Sequence, residues 1–447
     1  MLDEGEQHRI ASCTWDLPCP EIAVLDQGGQ AVATGHGCIA NDTIGKLIVT
    51  VYVNHQHHGG RSYQNRIPHS STLHCTDIQG RTWVATGFNQ SNTCGYGDSH
   101  FDVLTFEGEE VAWEYRPIPG PEFDHYSGFT YLFPDGLRFP ANHKREVRHE
   151  EDGKQVSWHA GFDTAEFSLG AMNCRIQPMA QGVRFGGHLE NQDFNPVWPE
   201  AALEAIKFVL GSRCAWQIGK VTIKGTVRLT VRACPYPLDS RFGIPPIDHR
   251  PENADHIWRL AVTYFEHLSA RGNVVGNPLV KNVNHLIHAG GSTPEAFSLA
   301  LVTGLEGVLH YAVPSPQPDS EFEAAVDRTR QHIKSGRAAQ TLEITKKQWD
   351  RIDRAIGRLA TPNAQKSAER KLAAMEAEGV VTEKEIKAWQ YFRNPAVHPG
   401  GGHGKTEEKH DPWSVNVLFH KLVFHAIGYT GPYSDWSQPG PPLCKPV

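Results

Sequence analysis

Several things are missing from this chain of 447 residues. It has no Cys-x-x-Cys, no apolar run long enough to span a bilayer, and no internal repeat or low-complexity tract. Its first residues, MLDEGEQHRI, carry acids early and lack an apolar core, which is not the pattern of a signal peptide. These absences predict a cytoplasmic protein with no membrane segment. The nine cysteines are odd in number, and eight lie at or before Cys234. In a reducing compartment they are free thiols, small apolar groups suited to burial. An excess of basic charge is also missing. Residues 1–249 carry a formal charge of −9 and residues 250–447 one of +2. An acidic first half is not a general nucleic-acid binder, whereas a near-neutral second half permits RNA contact.

The length exceeds one ordinary core, so at least two domains are expected. The two halves differ in hydrophobic period. Lys220–Ala233 alternates, with Val221, Ile223, Val227, Leu229 and Val231 on one face and Thr222, Lys224, Thr226, Arg228, Thr230 and Arg232 on the other. That period of two predicts one strand with a buried and a wet face. Gly45–His55, Arg81–Phe88 and His100–Gly108 also read as strands. A short helix is expected near Trp198–Leu210.

Beyond a proline-rich linker at Gly243–Asp255, the period becomes helical. Trp258, Ala261, Phe265 and Leu268 share one helix face. Thr293-Pro294 caps a helix bearing Phe297, Leu301, Leu305 and Leu309. Further helices are expected around Phe322–Ile333, Trp349–Leu359, Lys366–Glu378 and Pro412–Ile427. The fold class is therefore α+β with two domains: a β-rich sandwich or barrel-like domain over 1–245, then an all-α bundle over 246–447.

One helix carries the candidate chemistry. Thr382-Glu383-Lys384-Glu385 forms a capping box. Ile386, Trp389 and Arg393 follow on one face, so Arg393 points toward packing. Pro395 disfavours helical geometry at Asn394, which predicts a bend there. His398 follows within about a turn. Arginine donates two hydrogen bonds to a phosphate and stays charged, and histidine transfers protons near neutrality. Asparagine orients either partner. RNA supplies its own nucleophile, the 2′-hydroxyl, so this chemistry requires no metal or cofactor. Cleavage needs both an acid and a base, and a two-fold dimer supplies two copies of the histidine. Two other Arg/His spacings, Arg138 with His143 and Arg250 with His256, lack the Asn and the capped helix.

With these features, Arg393-Asn394-x3-His398 resembles the motif of the HEPN family, helical domains of many prokaryotic defence and toxin ribonucleases. The resemblance spans roughly residues 255–436. Ile427–Trp436, IGYTGPYSDW, is similar to the tail of ApeA-type HEPN domains, whose anti-phage architecture also has a β-rich domain in front. It implies a metal-independent endoribonuclease of the abortive-infection type. The implied substrate is cellular RNA such as tRNA, and the implied form is a homodimer that a phage-derived trigger activates. The implied site is Arg393, Asn394 and His398, with the β domain sensing the trigger or restraining activity. Two alternatives stay open. In one, the helical domain is a dimerisation or binding scaffold without chemistry. In the other, the β domain is a ligand sensor with the main role.

Other clusters carry less. His55 and His57 alternate along an extended chain as zinc ligands would, but a zinc site needs about four ligands and no partner cluster is evident. His403 lies in a glycine-rich basic loop. Gly28–Gly37 lacks the lysine and the strand-then-helix setting of a phosphate loop. Cys94 and His100 lie in a turn-rich stretch, and Trp83 and Trp113 read as β core.

Overall fold

The computed structural model describes the chain apart from residues 1, 43–44, 55–69, 96–100, 117–125, 134–136, 152–153, 181, 191–192, 234–242, 314–319, 339–344, 346, 350, 353–363, 398–411, 441 and 445–447. It divides into two units, Met1–Val274 and Val275–Val447.

In the first unit, alternation in strand β3 (Leu47–Asn54) sends Leu47, Val49, Val51 and Val53 wholly inward, with Ile48, Thr50 and Tyr52 on the other face. The same rule governs β1 (Asp16–Leu25), β2 (Ala31–Asn41), β4 (Ser71–Thr76), β5 (Thr82–Gly95) and β6 (Phe101–Gly108). These strands pair antiparallel in the order β4-β1-β2-β3-β6-β5, and β5 returns to β4, closing a six-stranded barrel. Closure depends on a bulge in β5 at Gly87, whose φ is +74°, the left-handed region that glycine tolerates. Trp83 and Ala85 point inward before it and Phe88 after it, so the bulge keeps the apolar face inward as β5 passes from β4 to β6. Ile10 of helix α1 (Glu4–Ala11) joins the same core.

From β7 (Glu110–Tyr115) the sheet runs on through strands β14 (Thr226–Arg232), β13 (Ile218–Ile223), β8 (Tyr126–Phe133), β12 (Gly182–Glu190), β11 (Met172–Met179), β10 (Lys154–Leu169) and β9 (His143–Glu151). Helix α2 (Trp198–Leu210) is apolar almost all round and packs against α3 (Ala254–Ser269). Trp258 of α3 stacks on Phe167 of β10 at 4.4 Å and donates its indole N–H to the Pro140 carbonyl at 3.1 Å. These contacts tie α3 to the sheet, so the division falls at 274/275, past the 245/246 expected from composition.

Lys220–Ala233 is a correction. It forms two strands, β13 and β14, joined by the two-residue turn Lys224-Gly225, in which both residues have positive φ (46° and 77°). Register pairs Ile218 with Val231, Lys220 with Leu229 and Thr222 with Val227, so these share one face. Thr222 is buried there, while Val221 and Ile223 lie half-buried on the other face opposite Arg228 and Thr226. The turn reverses the apparent alternation.

Beneath the barrel lies a buried charge cluster. Arg81 donates from Nε to Asp77 Oδ2 (2.5 Å) and from Nη2 to Glu6 Oε1 (2.8 Å), and the Trp83 indole donates to Asp77 at 3.1 Å. Glu6 also accepts the Asp3 amide in the capping box of α1. Burial alone would raise the Asp77 pKa. The hydrogen bonds from the Arg81 side chain and amide, Trp83 and the Gln79 amide outweigh it and hold the carboxyl below its ordinary 3.8.

The second unit is helical. It contains α4 (Pro278–Ala289), α5 (Pro294–Ala312), α6 (Ser320–Ala338), α7 (Ala364–Ala377), α8 (Glu383–Val397) and α9 (Pro412–Ile427), with Tyr433–Ser434 pairing Leu443–Cys444. Helix α5 is capped by Thr293, as its sequence predicts, and touches α4, α7, α8 and α9. Its buried face carries Leu301, Leu305, Val308 and Leu309. Seven cysteines among the described residues are free thiols, and no helix there is long and apolar enough to cross a membrane.

Two outcomes are expected. A methyl at Gly37 would stand 1.8 Å from the Thr50 carbonyl oxygen, so Gly37→Ala should lower first-unit stability by about 1–3 kcal/mol. Urea unfolding with an unchanged midpoint would refute this. The lowered Asp77 pKa adds stability that is present above the ordinary carboxylate range and lost as pH falls through the folded value. Asp77→Asn should therefore flatten the acid limb of a stability–pH curve followed by tryptophan fluorescence. An acid limb as steep as that of the wild type would exclude Asp77 as its source.

Candidate functional site

Helix α8 begins as its sequence predicts. Thr382 Oγ1 accepts the Glu385 amide at 3.3 Å, and Glu385 Oε2 accepts the Thr382 amide at 2.8 Å. The same Glu385 receives Lys421 of α9 at 2.9 Å. Burial would lower the Lys421 pKa, but the Glu385 carboxylate outweighs it and raises it. The Lys421 ammonium also lies 5.4 Å from the ring of Tyr433, which ties Ile427–Trp436 to the start of α8.

Three turns along α8, Arg393 is 8% exposed. Its Nε donates to Glu306 Oε1 of α5 at 2.5 Å, and its Cζ lies 5.7 Å from the ring of Trp389, one turn back on the same face. Trp389 is fully buried. The packing direction expected for Arg393 is thus observed, and its acid partner is Glu306. Of the five guanidinium N–H donors, Glu306 takes the one on Nε.

The helix does not end at Asn394, where the sequence predicts a bend. Helix α8 continues through Asn394 and Pro395 to Val397. Pro395 forfeits one hydrogen bond to the preceding turn. The capping box and the burial of Ala388 and Trp389 hold the helix nonetheless. The Asn394 side chain and all of His398 lie outside what the structure describes, as do His55, His57, His100, His403 and the Cys94 side chain.

The rival Arg/His spacings are engaged elsewhere. His143 Nδ1 lies 3.7 Å from Glu166, and Arg250 lies 2.6 Å from Asp248 and 3.7 Å from Glu252. Trp83 is fully buried in the barrel core, and Trp113 is half-buried against Tyr115 at 4.2 Å. Among the described residues no group of three or more His, Cys, Asp or Glu side chains is arranged to hold a metal ion.

Glu306 and Lys421 escape sequence periodicity, which tracks apolar residues. Each leaves one trace. Glu306 is the only charged residue in Phe297–Leu309, and Lys421 the only one in Val415–Phe424.

No family model, curated protein or solved structure matches this chain.

The ion pair generates a stability prediction. Glu306→Ala leaves the Arg393 guanidinium buried without its carboxylate and should cost about 1.5–3 kcal/mol. The double variant Glu306→Leu with Arg393→Met should recover part of that loss. Additive losses in a double-mutant cycle would show that the two side chains do not couple.

Proposed function

We propose that the protein is an endoribonuclease of the HEPN type, acting in anti-phage defence on cellular RNA such as tRNA. The observation that carries this is the setting of Arg393. Glu306 and Trp389 hold its guanidinium near the end of a capped helix. In the sequence Asn394 comes next, and His398 stands five residues after Arg393. A guanidinium fixed through Nε keeps its orientation, and among the described residues no hydrogen bond takes its Nη groups, which suit a phosphate.

In this mechanism Arg393 stabilises charge on the phosphate as the 2′-oxygen attacks phosphorus. His398 moves a proton, and Asn394 orients the group beside it. A homodimer brings a second copy of the motif to the RNA. The first unit senses a phage-derived trigger or restrains cleavage until one arrives.

A second reading rests on the same ion pair. A buried arginine matched by a glutamate is what a purely structural role also requires, so a binding or dimerisation scaffold is the alternative.

The discriminating experiment is cleavage of total cellular RNA by the full-length protein in EDTA, with and without infected-cell extract. His398→Ala should lower the rate by about 10²–10⁴-fold, and Arg393→Ala should also abolish cutting. His398→Ala cutting at the wild-type rate removes that residue from the site. A wild type inert under both conditions favours the scaffold.

A further inference from the structure

The inner face of the barrel carries one carboxamide in an otherwise apolar row. Register sets Gly35 of β2 against Val53 of β3, Gly37 against Val51, Ile39 against Val49 and Asn41 against Leu47. All four β3 residues are wholly buried, so by alternation the Asn41 side chain also points inward. On the other side of β2, Asp16 of β1 pairs with Ala40, and the Asn41 amide donates to the Trp15 carbonyl at 3.0 Å. Trp15 therefore stands opposite Asn41 on the same inner face, where paired side chains lie about 5 Å apart at Cβ. Trp15 is 1% exposed and meets Trp83 edge-on at 5.6 Å.

Neither side chain finds a partner. Among the described residues, no hydrogen bond reaches the buried Nδ2 and Oδ1 of Asn41 or the buried Nε1 of Trp15. Gln217 adds a fourth such atom. It is 3% exposed and its Oε1 is unpaired, while its Nε2 lies 4.0 Å from Sγ of Cys13, two residues before Trp15. Burial, and then the carboxylate of Asp42 beside Asn41, raise the Cys13 pKa. Cys13 and Gln217 thus belong to the same end of the barrel as Trp15 and Asn41. Buried polar atoms are nearly always paired, and an unpaired carboxamide among apolar neighbours is costly. Packing alone does not call for an asparagine here, since leucine would continue the row. A molecule with matching groups does call for one.

The four atoms limit what that molecule is. A carboxamide offers a donor beside an acceptor in one plane. Its complement is a ring edge with an acceptor beside a donor, which adenine presents and asparagine takes bidentately. The Trp15 indole adds a donor and Gln217 an acceptor. None of these groups is charged, which suits a neutral base and not a phosphate or carboxylate. We infer that the Trp15–Asn41 end of the barrel, with Gln217, is a binding site for a neutral nucleobase of the adenine type. This holds whether or not the helical unit cuts RNA.

The test is titration of the full-length protein with adenine, adenosine and, for comparison, glucose, followed by calorimetry and thermal unfolding. Adenine or adenosine should bind one to one and raise Tm, and glucose should not. Asn41→Leu removes the unpaired atoms and should leave the free protein at least as stable, yet weaken base binding by about 10-fold or more. Gln217→Met should weaken it too, and serves if the first variant does not fold. No binding of either base at millimolar concentration would overturn the inference and leave these atoms to water alone. Binding that both variants retain at wild-type strength, or glucose bound in place of the bases, would overturn it as well.

Discussion

A charge carried into a helical core has to be matched there, and the Arg393–Glu306 pair is where this chain meets that requirement. Helix α5 touches α4, α7, α8 and α9, and most of its inward surface is leucine and valine. Glu306 is the exception, and it faces the one arginine of α8. The pair therefore does more than neutralise a charge. A guanidinium over Trp389 and bonded through Nε to a fixed carboxylate has lost most of its rotational freedom. The entropy of ordering that side chain is spent in folding and not when a ligand arrives. Structural and functional accounts of Arg393 thus share a physical basis and differ in what the Nη groups meet.

The first unit solves the same problem with more partners. Arg81 is matched by both Asp77 and Glu6, and each carboxylate has a further duty. Asp77 accepts backbone amides of its own turn, and Glu6 closes the capping box of α1. Such a cluster is weak as a source of net stability, because desolvation offsets the attraction. It is strong as a specifier of geometry, since displacing α1 would strand two charges. Lys371 differs from both cases. It has a backbone carbonyl and an imidazole but no carboxylate among the described residues.

Local rules made much of the fold legible. The capping box of α8, the Thr293 cap and the bounds of α2 and α9 all depend on neighbours in sequence. The β-rich and helical halves followed from the change of period. The errors arose where a local signal was outweighed or had a second solution. In Lys220–Ala233 the alternation is the same for one strand as for two strands joined by a two-residue turn. Only the Lys-Gly dipeptide distinguishes them, since both of its residues must take positive φ. At Pro395 the cost of one lost hydrogen bond was set against burial of Trp389, and burial prevailed. The division near residue 274 was hidden because an amphipathic helix such as α3 does not specify whether a sheet or another helix covers its apolar face.

The candidate site was legible only in its covalent part. Arg393, Asn394 and His398 stand within six residues, so their chemistry is visible in the chain. Glu306 lies 87 residues from Arg393, and His310 lies 61 from Lys371. No periodicity connects them, because charged residues at inward positions interrupt the pattern that identifies helices. They share one property that a sequence does display. Each is an ionisable group inside or beside an apolar stretch, where an unmatched charge would be costly. The partner of such a group must come from elsewhere in the fold. In this protein those partners converge on α5, where two successive turns hold one arginine by a carboxylate and one lysine by an imidazole. An acid that fixes a cation needs no exposure, and Glu306 is largely covered.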